Sequence, residues 1–260
     1  MKKTALITGA SSGIGRELAH IHAATGGNLV LVARSTQKLN ELKIELESKY
    51  KIIAAVITKD LTAPNAAREL YDEVKSLHIE VDYLINNAGF GGIGKFIERK
   101  LEEDVSMIQL NVVALTQLTH LFSKDFVKRA SGKVLNVSST ASLIPGPLQA
   151  TYYATKAFVT SFSNALSEEL RGTGVTVTNL MPGATDTDFG KVSGMDKTKL
   201  FDAPVSALQV ARDGYNAMFS GEINIISGLT FSQKLLMKMM PFMPKKMVLK
   251  QIREMQEVVK

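Results

Sequence analysis

Eight residues, Thr8-Gly9-Ala10-Ser11-Ser12-Gly13-Ile14-Gly15, constrain this chain more than any others, because they follow an apolar run and open a helical one. Ala5-Leu6-Ile7 reads as a short buried strand, and after Gly15 the residues Leu18, Ala19, Ile21 and His22 recur at helical spacing. A strand that turns through glycines into a helix N-terminus makes a site for a pyrophosphate. Free N–H groups point at the anion, and the helix dipole adds favourable partial charge. Glycine permits backbone angles closed to other residues and lets the chain approach a ligand closely. The spacing is G-x3-G-x-G rather than G-x-G-x-x-G, and taken alone it also describes an ordinary strand-to-helix loop.

Downstream, strand-like and helix-like runs alternate, which argues for a parallel sheet covered on both faces. Strands are expected near 4–8, 28–33, 52–57, 82–86, 132–138, 174–180 and 222–226, and helices over 13–25, 37–48, 64–78, 102–129, 152–171 and 204–219. The fold class is therefore α/β, a doubly wound parallel sheet with core strand order 3-2-1-4-5-6. A chain of 260 residues needs only one such domain, expected over 1–228, with 229–260 as an amphipathic helical extension. Less regular stretches, 187–203 and 227–260, follow the sixth and last strands. Ligands of such sheets bind beyond the strands' carboxyl ends where the winding reverses, here between strands 1 and 4. Residues ending strands 1, 4, 5 and 6 should converge on the reactive half of a dinucleotide, and those ending strands 2 and 3 on its adenosine half.

Composition removes several alternatives. The 45% hydrophobic content supplies a sizeable core, and the absence of cysteine excludes disulfides, thiolate catalysis and cysteine-ligated metal. Met1-Lys2-Lys3 leads straight into the first strand and no run approaches about 18 apolar residues, so a cytoplasmic protein is expected. The net charge of +6 is local: residues 233–260 hold seven Lys or Arg against two Glu, and the rest is nearly neutral. A nucleic-acid footprint over the main domain is therefore not expected. His20, His22, His78 and His120 are scattered over helices and suggest no metal site. Asn136-Val137-Ser138 matches a glycosylation sequon, but in a strand expected to be buried.

Tyr152 and Lys156 stand four apart near a helix start and share one face. An ammonium beside a phenol stabilises phenolate, and a phenol so tuned exchanges a proton with a carbonyl or alcohol oxygen. Tyr71 and Lys75 repeat the spacing, but their helix follows strand 3, remote from the crevice, and reads as a solvated face. Ser138 and Ser139 end strand 5, where a hydroxyl either orients a substrate carbonyl or simply caps the strand. Asn111, in an apolar helical run, reads by itself as a satisfied core amide.

These residues together resemble the short-chain dehydrogenase/reductase family from about residue 3 to about 226. Thr8 to Gly15 is similar to its T-G-x-x-x-G-x-G cofactor loop, which here offers Gly9, Ser11, Ser12, Gly13, Ile14 and Gly15. Asn86-Asn87-Ala88-Gly89 resembles its N-N-A-G element, Asp60-Leu61 the pair flanking the adenine, and Pro182-Gly183 with Thr185 and Thr187 the element against the nicotinamide. Asn111, Ser139, Tyr152 and Lys156 resemble its catalytic tetrad. The family's spacing, a serine thirteen residues before the tyrosine, selects Ser139 over Ser138 and Tyr152 over Tyr153. The resemblance implies a Rossmann-type sheet, a homodimer or homotetramer, and hydride transfer between a nicotinamide and a small-molecule carbonyl or alcohol. Tyr152 would exchange the proton, Ser139 hold the oxygen, Lys156 bind the nicotinamide ribose and lower the Tyr152 pKa, and Asn111 anchor a water.

Strand 2 ends Leu31-Val32-Ala33-Arg34-Ser35, without the acid that accepts from the ribose 2′-OH of NAD. Arg34 suits a 2′-phosphate, so NADP(H) is expected over NAD. The loops around 90–98, 140–151 and 187–203 carry Phe90, Phe96, Leu143, Ile144, Phe189, Met195 and Phe201, which suggests an apolar substrate, with Phe96 and Phe189 as expected contacts. In the extension, Leu235, Leu236, Met239, Met240 and Met243 recur on one helical face with Lys234 and Lys238 opposite, and Val248, Ile252, Met255 and Val259 repeat the pattern beyond Pro241 and Pro244. This segment either packs on the domain or a partner subunit, attaches to an anionic membrane surface, or closes a Met-rich lid over substrate. A non-catalytic NADP-binding redox sensor or scaffold is the alternative function, and the intact tetrad argues against it.

Overall fold

The computed structural model describes residues 2–198 and 201–257. Seven parallel strands form one sheet: β1 (Thr4–Thr8), β2 (Asn28–Ala33), β3 (Ala54–Thr58), β4 (Tyr83–Asn86), β5 (Gly132–Val137), β6 (Val175–Pro182) and, later in the chain, β9 (Asn224–Ser227). Their order is β3-β2-β1-β4-β5-β6-β9, so the winding reverses between β1 and β4 as the sequence predicts. The register there pairs Ala5 with Tyr83, Leu6 with Leu84 and Ile7 with Ile85. Every residue of β1 is buried, as a sheet covered on both sides requires.

The strand period of two sorts these side chains into two cores. Ala5 and Ile7 join Leu18, Leu39, Leu46, Val210 and Met218, from α1 (Gly13–Ala24), α2 (Thr36–Tyr50) and a later helix, α8 (Ala207–Ser220). Leu6 faces the opposite way, against Leu70 and Val74 of α3 (Ala66–Ser76) and against Leu118, Phe122 and Phe126. The last three belong to α5 (Leu115–Lys128), which continues α4 (Leu101–Ile108) through a π-helical turn, Gln109–Ala114. The sequence predicts one uninterrupted helix here. The wider turn carries Asn111 and aims its amide inward, a device frequent at functional sites.

By length and composition, Leu101–Lys128 is also apolar enough to cross a membrane, which the sequence reading did not recognise. In the fold it is the crossover between β4 and β5, with Asn111, Thr119 and Ser123 buried on its inner side. Thr119 accepts from Asn86 Nδ2 (2.9 Å), which also donates to Asn136 Oδ1 (2.9 Å) across the strand pair. Asn136 in turn donates to Ser163 (3.0 Å), so the sequon asparagine is a fully buried tie between sheet and helix.

Ser163 lies on α6 (Ala150–Glu169), which begins two residues earlier than expected. The stretch 187–203, read as irregular, contains α7 (Asp188–Ser193) and is flanked by the two strands of a small parallel pair, β7 (Thr185–Asp186) with β8 (Val205–Ser206). The extension forms α9 (Phe231–Met239) and α10 (Lys245–Gln256). A capping box between Thr230 and Gln233 starts α9. The expected apolar face of α9 is divided. Met237, Met240 and Met243 turn inward with Val248, Ile252 and Ile144, whereas Leu235, Leu236 and Met239 turn out. On α10 the inward row is Val248, Ile252 and Gln256 rather than Met255. Val259 and the side chain of Lys238 lie outside the described residues.

Candidate active site

The loop after β1 leaves no space for side chains. Gly9 has φ +66°, and a Cβ there would stand 2.8 Å from Asn87 Nδ2. On Gly15 a Cβ would run into the Gly9 carbonyl oxygen. Thr8 ties the loop to the end of β4: its Oγ1 accepts from the backbone N–H groups of Asn87 and Ala88, both at 3.0 Å. Asn87 returns the contact by donating to the carbonyls of Thr8 (3.0 Å) and Gly9 (3.2 Å). Among the described residues no side chain caps the N-terminus of α1, and Ser11, Ser12, Gly13 and Ile14 around it are part-exposed. An uncapped helix start in a glycine cradle fits the phosphates of a dinucleotide.

Arg34 is exposed where β2 ends, with Ser35 capping α2 behind it. Beyond β3, Asp60 accepts from Thr62 N (3.0 Å) and Thr62 Oγ1 (2.8 Å), and these bonds, with a smaller contribution from Arg34, hold its carboxyl below the usual range. Leu61 beside it is buried in the core.

The five residues after β4 act as a ruler from glycine loop to phenol. Asn87 and Ala88 touch the loop, Gly89 lies under Asn111 and Lys156, and Gly91 lies under Tyr152 and Phe189. A Cβ on Gly89 would stand 3.0 Å from Asn111 Oδ1 and 3.4 Å from Lys156 Nζ; one on Gly91 would stand 3.1 Å from the Tyr152 ring. Asn111 clamps the segment by accepting from Phe90 N (3.2 Å) and donating to Phe90 O (2.9 Å) and Thr155 Oγ1 (3.1 Å).

Tyr152 and Lys156 are buried on one face of α6, with Nζ 5.9 Å from the ring centroid. Lys156 Nζ donates to the Val137 carbonyl at the end of β5 (2.9 Å). Burial disfavours both charged forms: it pushes the phenol up to about 12, against the opposing hydrogen bond of Ser139, and the ammonium down to about 8. For the phenol, desolvation is thus the larger effect and the Ser139 hydrogen bond acts the other way.

Tertiary packing separates residues that the sequence leaves side by side. Ser138 turns into the fold, donating to Lys156 O (2.9 Å) and meeting Thr160 Oγ1 (2.8 Å). Ser139 stays on the phenol's side, accepting from Ala141 N (3.1 Å) and lying 3.4 Å from the Pro182 carbonyl. Tyr153 meets the Tyr152 ring edge-on, centroids 6.1 Å apart, lies over Gly146, and accepts from Gln256 Nε2 of α10 (2.6 Å). Gln256 was invisible to sequence reasoning; its only signal is a polar residue in register with Val248 and Ile252.

The loop after β6 closes the arrangement. Gly183 N donates to Ser227 O (2.9 Å), Thr185 donates to Gly183 O (2.9 Å), and Thr187 caps α7 while its methyl group faces Gly13. Phe189 packs on Tyr152, ring centroids 5.5 Å apart, in a cluster with Phe90, Met107, Ala141 and Ile144. Phe96, expected there too, is placed elsewhere: it is 61% exposed in the turn before α4 and borders Arg99 instead.

Strands 1, 4, 5 and 6 of the doubly wound sheet thus bring a glycine cradle towards part-buried Ser139 and the buried side chains of Tyr152 and Lys156. Comparison with known proteins makes the assignment. The short chain dehydrogenase family model matches residues 3–198, and the chain belongs to the short-chain dehydrogenase/reductase family, whose oxidoreductases bind a nicotinamide cofactor. An oxidoreductase of unassigned substrate from Staphylococcus epidermidis is 31% identical over 80% of this chain and 91% of its own. Very-long-chain 3-oxoacyl-CoA reductase of Homo sapiens is 33% identical over 72% of this chain and 61% of its own. A short-chain dehydrogenase from Sphingobium yanoikuyae, solved in complex with NADPH, superposes with a TM-score of 0.82 at 29% identity, covering 94% of this chain and 97% of the other.

Proposed function

We propose that this protein is an NADP(H)-dependent carbonyl reductase or alcohol dehydrogenase for an apolar substrate. One observation carries the reading: Asn87 to Gly91 runs without interruption from the glycine cradle to the Tyr152 ring, so a dinucleotide held by the cradle would reach the phenol. Gly9, Gly13, Gly15 and the N-terminus of α1 would hold the phosphates, Arg34 the 2′-phosphate, Asp60 and Leu61 the adenine side, and Pro182, Gly183, Thr185 and Thr187 the nicotinamide side. Bound there, the cofactor supplies or accepts the hydride.

Tyr152 is a neutral phenol at pH 7, the form that can donate a proton to a carbonyl oxygen. Ser139 would hold that oxygen and stabilise its developing charge. Lys156 still carries its proton at pH 7, and its ammonium can return one to the phenol side of the cavity. Asn111 works through the backbone: both ends of its amide fix Phe90, which keeps Gly89 and Gly91 flat against the reacting groups. The Tyr152–Phe189 contact and the surrounding cluster offer apolar wall to a substrate, and the NADPH complex of the Sphingobium relative and the fatty-acyl substrate named for the human one agree with both halves of the proposal.

The test is NADPH oxidation against a panel of apolar ketones and aldehydes. Tyr152→Phe should bind NADPH with unchanged affinity yet lose turnover. A Tyr152→Phe variant that reduces the same ketone at the parent rate would overturn the assignment.

A further inference from the structure

Among the apolar side chains that the extension leaves exposed, four stand together at and just beyond α9. Leu235 (53% exposed), Leu236 (44%) and Met239 (54%) lie on the outer face of α9, and Phe242 (85%) stands in the turn that follows. They are not the frayed side of a loose tail. Met240 of that turn is buried with Val248 and Ile252 of α10 in a cluster that includes Ile144 of the domain, the capping box fixes the start of α9, and Gln256 bonds Tyr153 at the far end of α10. Folding therefore holds the outer face in place without hiding it.

Charge decides what fits there. Lys234 sits beside Leu235, and Lys245 and Lys246 follow Phe242 within four residues. Among the described residues no carboxylate pairs with any of these three, whereas Lys250 and Arg253 farther along α10 pair with Glu254 and Glu257. The segment from 233 onward carries seven Lys or Arg and two Glu, nearly all of the chain's net charge of +6. A second copy of this chain docking through the same face would bring two such basic segments together, as a two-fold contact must, and like charges would oppose it. A negatively charged, apolar-cored surface satisfies both halves of the face.

We propose that Leu235, Leu236, Met239 and Phe242, flanked by Lys234, Lys245 and Lys246, dock this protein on the surface of an anionic lipid bilayer. The apolar side chains enter the acyl boundary while the ammonium groups remain among the headgroups. The docking helices are continuous with the cluster around Ile144 and with the Gln256–Tyr153 bond, one residue from Tyr152. A docked molecule thus holds the helices that pack on Ile144 and Tyr153 beside the membrane, which suits an apolar substrate dissolved there.

Docking and turnover use different residues, so they can fail separately. The full chain is sedimented with vesicles of phosphatidylcholine alone or mixed with phosphatidylglycerol, and NADPH oxidation with a soluble ketone is followed in parallel. Pelleting should be about tenfold stronger on the mixed vesicles and should weaken as salt is added. Leu235→Glu with Met239→Glu should abolish pelleting, and Lys245→Glu with Lys246→Glu should remove the preference for anionic lipid, both with unchanged ketone reduction. Equal pelleting on the two vesicle types, or undiminished pelleting of the Leu235→Glu, Met239→Glu variant, would overturn the proposal. So would a chain that ignores vesicles but forms a dimer that this double variant dissociates, since the face would then belong to a second copy.

Discussion

Two Tyr-x-x-x-Lys pairs occur in this chain, and they differ in nothing that local geometry controls. Lys75 Nζ lies 5.8 Å from the Tyr71 ring centroid and Lys156 Nζ lies 5.9 Å from that of Tyr152. Their surroundings differ completely. Tyr71 donates to Asp125 Oδ2 of α5 (2.8 Å), and half-exposed Lys75 pairs with the same oxygen (3.2 Å). A carboxylate thus satisfies both groups, and it lines a cavity of about 280 Å³ together with Lys75, Glu80 and Arg129. Tyr152 and Lys156 have no carboxylate partner in the described structure; a backbone carbonyl holds the amine, and a serine hydroxyl faces the phenol. The contrast teaches that helix spacing creates the pair, whereas tertiary packing decides whether a carboxylate occupies it or leaves it buried without a counter-ion.

Substitutions can break or sharpen this contrast, and the largest effect falls on the phenols. Tyr152→Phe should cost about 10³-fold in kcat, against less than about twofold for Tyr71→Phe. Comparable losses in steady-state assays of the two variants would abolish the distinction. Next comes the hydroxyl that only the buried pair possesses: Ser139→Ala should lower kcat by about 10²-fold with little change in NADPH affinity.

The amines should differ in stability. Lys156 titrates at about 8 in the fold against an ordinary 10.5. Below pH 8 both folded and unfolded chains carry the ammonium and the fold bears the full cost of burying it. Between about pH 8 and 10.5 the unfolded chain binds more protons, so stability rises with pH through that window. Lys156→Met should therefore stabilise the cofactor-free protein at pH 7 by on the order of 2–3 kcal/mol, an advantage that fades toward pH 10. Lys75→Met should change stability by less than about 1 kcal/mol at either pH, since its ion pair is half-exposed. Urea unfolding at pH 7 and pH 10 would measure both, and equal behaviour of the two lysines would contradict the assigned environments.

The smallest effect tests whether the buried pair serves a phosphorylated cofactor. Arg34→Asp should shift the ratio of kcat/KM for NADPH over NADH by about tenfold toward NADH. An unchanged ratio would remove Arg34 from the cofactor's 2′ position.

Much of this organisation was legible in the residues themselves. The doubly wound sheet was expected from the alternation of apolar runs and the glycine turn from the spacing of Gly9, Gly13 and Gly15, whereas the crowding those glycines relieve comes in part from Asn87 and Ala88, far along the chain. Several choices were not local. The π-helical turn at Asn111 has no periodic signature of its own, since its six residues, Gln109–Ala114, are too few to establish a period against the helices on either side. Phe96 and Phe189 look alike in loops, yet one faces solvent and the other lies on Tyr152. In the extension, the repeat of apolar residues announced two helices but not which side of each would be covered. Met240 and Leu236 share a helical face by spacing and are parted by where the domain happens to lie.

By itself, then, the amino-acid order determined the alternation of strands and helices, the phosphate cradle and the spacing of tyrosine to lysine, since each depends on backbone sterics and periods only a few residues long. The tertiary structure alone decided that Tyr152 and Lys156 are buried without a carboxylate while Tyr71 and Lys75 share one, that Ser138 bonds the backbone and Thr160 inside the fold, and that Gln256 reaches Tyr153 across 103 positions of chain. Those outcomes depend on burial and on groups distant in sequence, and desolvation acts only once the chain has closed around them.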